Sequence, residues 1–211
     1  MSAITVCVPR GALFAGSVER LREAGFDVSP LDEAGRRLIF EAPDGTVFIT
    51  TRPTDVPTYV QAGAADIGIV GKDVLIERQP DVYEMADLRF GKCRMVYATA
   101  ADEDPTPAAL DRLGTVRIAT KYTRVAHEYF ASTGRQAEVV KVNGSVELAP
   151  LVGLAHGIVD LVATGQTLRE NGLVAREEIF ESSARLIANR VSHKVRAAKV
   201  DALAARLSGI S

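Results

Sequence analysis

At 211 residues and 47% hydrophobic content, the chain holds enough apolar material for one large α/β domain or two small lobes, and it should fold unaided. Its formal charge of −2, from 25 basic and 27 acidic side chains with no basic block, excludes duplex nucleic acid and a membrane surface as expected partners. An anionic ligand must therefore be met locally. No apolar run approaches the roughly 20 residues of a membrane span, and residues 1–20 lack the apolar core of a signal peptide, so the expected location is cytoplasmic.

In chain order, ITVCV (4–8) reads as a buried strand, followed by Phe14, Val18, Leu21 and Gly25 at helical spacing. RLIFEA (37–42) and TVFIT (46–50) read as a hairpin around Pro43-Asp44-Gly45. DVPTYVQAG (55–63) is a short helix with Thr54 or Asp55 as its cap, DIGIV (66–70) a strand, and KDVLIE the start of another helix. KCRMVYAT (92–99) is strand-like and DEDPTP (102–107) a loop. RIAT (117–120), the helix RVAHEYFAST (124–133), EVVKV (138–142), a helix around ELAPLVGLA (147–155) and GIVDLVA (157–163) then alternate as in a mostly parallel sheet. ARLIANR (184–190) returns as a strand, and the tail helix puts Val200, Leu203, Ala204 and Leu207 on one face.

GAADIGIVG (63–71) and GLAHGIVDLVATG (153–165) share a rhythm of glycine, Ile/Val strand and glycine turn, a weak sign of a repeated unit. Lobes joined near 88–93 and 182–187 make the expected domains 1–90 plus 183–211, and 91–182. Cys7 and Cys93 read as packed free thiols. His127, His156 and His193 have neither partners nor spacing for zinc.

The chemistry concentrates in VDLVATGQTL (159–168). A strand buried on both faces is continuously apolar, so Asp160 needs a cation, donors or the mouth of a cleft. Ala163-Thr164-Gly165-Gln166-Thr167 supplies small residues before a helix beginning near Leu168, where first-turn amides and the helix dipole favour an anion. This reads as a cradle for a phosphate monoester, with Asp160 placed to accept hydrogen bonds from an attached sugar. The alternative is an ordinary βα turn capped by Thr164.

VDLVATGQTL, with NGSVELAPLVGLA (143–155), RPTDVPTYVQAGAADIGIVGKDVL (52–75) and LRFGKCRMVYA (88–98), resembles the ATP phosphoribosyltransferases, the enzymes that begin histidine biosynthesis. Ending at Ser211, the chain resembles their short form. The resemblance implies a two-lobed α/β fold similar to type II periplasmic binding proteins, with mixed or mostly parallel sheets and an interlobe cleft. It also implies a homodimer that assembles with a separate histidyl-tRNA-synthetase-like regulatory subunit. It further implies Mg2+-dependent transfer from phosphoribosyl pyrophosphate to N1 of ATP's adenine, with Ala163, Thr164, Gly165, Gln166 and Thr167 at the 5'-phosphate and Glu147 and Asp160 by the ribose. Mg2+ is expected on the substrate's pyrophosphate rather than on protein ligands.

Such a reaction needs cations at the leaving group and no general base, because N1 attacks through a lone pair. Arg52, after VFITT, and Arg10, after ITVCVP, sit at strand ends where α/β sheets bind ligands, and are the candidate catalytic cations. Gly11, Lys72 and Arg94 are further candidates for ATP or pyrophosphate; Lys92 shares a strand face with Arg94. The family commonly shows Pro-Lys-Gly-Arg-Leu where this chain has Pro9-Arg10-Gly11-Ala12-Leu13. Arg36 or Arg37 are the available substitutes, an exposed pair beside a strand being the plainer reading. His156 stands where the family usually has aspartate, and a helix-end histidine is the expected role. A non-catalytic two-lobed sensor and a phosphoribosyltransferase acting on another base are the competing functions.

Overall fold

The computed structural model describes residues 4–32 and 37–209. The chain divides into two units, Met1–Gly91 with Ser183–Ser211, and Lys92–Ser182. The first unit begins with β1 (Thr5–Pro9), α1 (Phe14–Glu23), α2 (Ser29–Asp32), β2 (Ile39–Glu41), β3 (Val47–Thr51), α3 (Val56–Gln61), β4 (Ile67–Gly71), α4 (Lys72–Arg78) and β5 (Tyr83–Asp87). The second comprises β6 (Cys93–Ala100), α5 (Thr106–Leu113), β7 (Val116–Thr120), α6 (Thr123–Ser132), β8 (Ala137–Lys141), α7 (Leu148–Leu151), β9 (Gly157–Val162), α8 (Gln166–Glu170) and β10 (Leu173–Ser182). The chain then returns to the first unit with β11 (Ala184–Ala188), α9 (Arg190–Val195) and α10 (Ala197–Ser208). Among the described residues no helix is long and apolar enough to cross a membrane.

Both sheets are mixed, the first of the two forms that the resemblance implies. Unit 1 has the order β2-β3-β1-β4-β11-β5 and unit 2 the order β10-β6-β9-β7-β8. Parallel pairing is confined to β3-β1-β4 and β8-β7-β9, and every other neighbour is antiparallel. In unit 1, α1 and α10 cover one face, burying Leu21, Val200, Leu203, Ala204 and Leu207 against Phe48 and Leu186. Val56, Val60 and Val74 cover the other face and enclose Cys7, whose thiol is pushed up to about 12 first by burial and then by the charge of Asp55. That thiol is an inert packing group.

The weak internal repeat is a duplication at the level of register. Val6 and Cys7 pair with Ile67 and Gly68, while Ile118 and Ala119 pair with Gly157 and Ile158. On the far side, Ile187 pairs with Gly68 and Ala98 with Ile158, both antiparallel. One clamp precedes each central strand. The Asp66 N–H donates to the Thr5 carbonyl at 2.9 Å, and Asp66 Oδ2 accepts from the Thr5 N–H at 2.9 Å. Likewise the His156 N–H donates to the Arg117 carbonyl at 2.8 Å, and its Nδ1 accepts from the Arg117 N–H at 2.8 Å. His156 is therefore no helix-end residue. It locks the start of β9 to β7 with its ring proton on Nε2, as a carboxylate does in the sister unit. His156→Asp should leave stability within about 0.5 kcal/mol of the parent, whereas His156→Ala should cost about 1 kcal/mol in urea unfolding. Equal losses in both would refute the clamp.

Five elements escaped the sequence reading: α2, β5, α5, β10 and α9. Helix α5 starts inside the presumed loop because Asp104 Oδ1 accepts from the Thr106 N–H (3.0 Å) and hydroxyl (2.6 Å), with Pro105 leading into the first turn. β5 and β10 are polar edge strands, and register shifts at Ala175/Glu177 and Glu178/Phe180 break the two-residue alternation of β10. Conversely, the helix expected over 147–155 shrinks to Leu148–Leu151, ended by Gly153 at φ +72°. Neither Thr54 nor Asp55 caps α3, since the Thr54 hydroxyl donates to Asp55 Oδ1 at 3.3 Å instead.

Candidate functional site

In unit 2 the connection from β7 leads to β8 on one side, and the chain then crosses to β9 on the other. Ligands of open α/β sheets bind at such a switch point, at the carboxyl ends of the two parallel strands. What lies there is the turn Lys121-Tyr122 after β7 and the segment Ala163-Thr164-Gly165 after β9.

Gly165 is left-handed (φ +74°, ψ 7°) and Gln166 opens α8. A left-handed residue followed by a right-handed one turns successive amides to one side, a main-chain concavity suited to an anion. Among the described residues, the N–H groups of Gly165, Thr167 and Leu168 have no protein acceptor, while that of Gln166 donates to the Thr164 hydroxyl at 3.3 Å. Thr164 thus gives α8 a partial cap, although the helix boundary falls at Gly165. A pocket of about 250 Å³ lies over this turn, lined by residues 160–168 and Glu147.

The structure thus brings together all seven residues proposed for phosphate and ribose. Glu147 arrives at the N-terminal boundary of α7, after Ser145 at φ +48°, and Asp160 from within β9. Asp160 is mostly buried, with its Oδ1 3.9 Å from Lys121 Nζ. Lys121 was missed from sequence. Arg169 was missed too; it reaches back from α8, Nη1 donating to the Thr164 carbonyl at 3.2 Å.

The sister unit lacks an open seat. There Asp73 folds back at the start of α4, its Oδ1 2.1 Å from where a β-carbon on Gly71 would stand, so a carboxylate already crowds that turn. Unit 1 also holds a hollow of about 350 Å³ beside Thr54, Thr58, Gln61 and Arg78. Size does not make it the site, because it has no run of unengaged amides and Gln61 Oε1 is taken by the Asp81 N–H at 3.0 Å.

The expected cations divide. Arg52 is exposed, and no side-chain bond holds it among the described residues. Arg10 donates to Thr50 Oγ1 at 3.1 Å and to the Arg37 carbonyl, beside Gly11 at φ +82°. Lys72 is paired with Glu84 at 2.6 Å and Arg94 with Glu178 at 3.1 Å, so either would have to exchange its partner to meet ATP or pyrophosphate. Lys92 is exposed, and Arg36 lies outside the described residues. Among the described residues no three His, Cys, Asp or Glu side chains come together as metal ligands.

A family model for ATP phosphoribosyltransferase (HisG) matches residues 52–209. The chain is 50% identical to the ATP phosphoribosyltransferase of Symbiobacterium thermophilum, over 98% of this chain and 94% of that one. The chain belongs to the HisG family of ATP phosphoribosyltransferases. It is accordingly a phosphoribosyltransferase of the first step of histidine biosynthesis. The Bacillus subtilis ATP phosphoribosyltransferase is 45% identical over 97% of this chain and 94% of its own length. Among solved structures, the Thermotoga maritima ATP phosphoribosyl transferase (HisG:HisZ) complex matches at a TM-score of 0.82 and 32% identity, over 98% of each chain. The periplasmic aliphatic sulphonate binding protein SsuA of Escherichia coli, 12% identical, matches at 0.62 over 100% of this chain and 74% of that one, a likeness of fold alone. HisG membership thus agrees with an α/β chain of the periplasmic-binding-protein kind.

Proposed function

We propose that the HisG reaction is carried out here with the 5'-phosphate of phosphoribosyl pyrophosphate on the amides of residues 163–167 and its ribose against Glu147 and Asp160. The observation that carries this reading is the run of unengaged amides at Gly165, Thr167 and Leu168 over a pocket that also contains both carboxylates. N1 of adenine attacks C1 through its lone pair, the N1–C1 bond forms, and the C1–O bond breaks with its electron pair leaving on pyrophosphate. The carboxylates face the sugar on which positive charge develops. Cations are needed where pyrophosphate departs. Arg52 and Arg10 are assigned that task. Arg52 needs no prior partner exchange, whereas Lys72 and Arg94 would have to leave Glu84 and Glu178.

Mg2+ would neutralise the pyrophosphate. It would arrive on the substrate's own phosphate oxygens, which leaves Glu147 and Asp160 to the ribose and asks for no direct protein ligand. A separate regulatory subunit is part of the proposal, supported by the HisG:HisZ composition of the Thermotoga complex, and a homodimer of this chain is proposed with it. With ATP as co-substrate, the working compartment is the cytoplasm.

Mixing the protein with ATP, phosphoribosyl pyrophosphate and Mg2+, with and without the regulatory subunit, should yield a new ultraviolet-absorbing nucleotide and pyrophosphate. Absence of turnover under both conditions would overturn the reading.

A further inference from the structure

We infer that Lys121 is a positioning residue for the phosphoribosyl donor, acting through Asp160; the inference rests on the reading of residues 160–167 as the donor site. Extending the β7–β9 register two residues past the Ala119–Ile158 pair puts Lys121 level with Asp160, and Nζ stands 3.9 Å from Oδ1. The turn that carries Lys121 is held at both ends of its hydrogen bonding. The buried Thr120 hydroxyl donates to the Val159 carbonyl at 2.6 Å and accepts from the Tyr122 N–H at 2.9 Å. The Tyr122 ring is buried and lies 4.8 Å beneath Nζ. The ammonium group is therefore confined beside Asp160 even though the side chain is 42% exposed.

The fold does not need this pair. In the duplicated register Cys7 is equivalent to Ala119 and Gly68 to Ile158, so Pro9 stands for Lys121 and Val70 for Asp160. The same architecture is thus built in unit 1 with an apolar pair at these levels, and Val70 there is fully buried. The charges belong to the pocket.

The pocket's electrostatics give Lys121 a task. The residues lining it include two acids, Glu147 and Asp160, and a base at its rim, Arg169, is engaged with the Thr164 carbonyl on the loop side. Yet the pocket is to receive a dianionic phosphate ester. Lys121 offsets one of those acids and fixes the orientation of Asp160, so that the carboxylate meets sugar hydroxyls without repelling the phosphate.

Lys121→Met and Lys121→Arg in the full chain, assayed for kcat and for the KM of each substrate, test this, with ribose 5-phosphate affinity measured by calorimetry. Lys121→Met should raise the donor KM about tenfold or more and weaken ribose 5-phosphate in parallel, with the ATP KM within about twofold. Lys121→Arg should restore most of the loss. In an Asp160→Asn background, Lys121→Met should add less than about twofold. A donor KM within about twofold of the parent in Lys121→Met, equal failure of Lys121→Arg, or full additivity with Asp160→Asn overturns the inference. If Lys121→Met does not fold, Lys121→Gln takes its place under the same criteria. A loop variant separates the two readings: Gly165→Asn with normal donor affinity removes the donor site itself, whereas loss in Gly165→Asn without loss in Lys121→Met removes only the role of Lys121.

Discussion

Gly165→Asn is expected to give a folded protein whose affinity for phosphoribosyl pyrophosphate falls about 100-fold or more, as two or three charge-assisted hydrogen bonds from the loop amides are lost. Glycine is required here for its conformation, φ +74°, and because little room is left beside its α-carbon. A β-carbon would stand 3.2 Å from the Arg169 guanidinium and 3.7 Å from Val162 Cγ1. Asparagine tolerates the left-handed region, so it fills the seat with little backbone strain. Valine at the same place would add about 1–2 kcal/mol of strain and move the loop, mixing a folding effect with a binding one. Calorimetric titration with the donor, alongside circular dichroism, checks the outcome. Unchanged affinity in a folded asparagine variant removes the cradle.

Arg135→Ala is expected to destabilise the second unit by about 2 kcal/mol at neutral pH, a figure reduced from that of a fully buried pair because Glu177 is 39% exposed. Arg135 grips Glu177 with two bonds of 2.7 and 2.9 Å and lies over the rings of Phe130, Tyr129 and Tyr97 at 4.8, 5.4 and 5.9 Å. The Tyr129 hydroxyl also donates to Glu177. Glu177 is held below the usual carboxylate range first by its bonds to Arg135, against partial burial. Its folded value is lower than its unfolded one. The pair's contribution is therefore complete above the ordinary carboxylate range and is lost as pH falls through the lower, folded value. Urea unfolding at neutral pH and below about pH 4 should show the parent losing stability while the variant's penalty shrinks. An equal penalty at both pH values would refute the electrostatic account, leaving only lost packing on the rings.

The parts legible in the sequence are those set by burial with a clean period. The α10 face of Val200, Leu203, Ala204 and Leu207 and the hairpin at Pro43–Gly45 follow from spacing and turn chemistry. The apolar run around Asp160 locates β9, and the small residues after it locate the turn. Elements at sheet edges are harder to read, because one side faces water and bulges shift the alternation, as in β10. Lys121 escaped because its significance depends on which strands lie side by side; RIAT alone does not say that its carboxyl end meets Asp160. His156 was misjudged for the same reason, its partner Arg117 being 39 residues away. The ion-pair partners of Lys72 and Arg94 were not legible, because Glu84 and Glu178 sit on β5 and β10, the two edge strands that the sequence does not announce.

The position of β11 between β4 and β5 bears on how the polypeptide matures during synthesis. A ribosome delivers β1 to β5 first, yet those strands cannot assemble their final sheet until residue 188 has emerged, since an interior member is missing. The intervening 92–182 segment is contiguous and can condense at once. Nascent β4 and β5 must wait with unsatisfied edges for nearly half the length of the chain. Premature termination before β11 would leave an open, aggregation-prone half-sheet rather than a shortened enzyme.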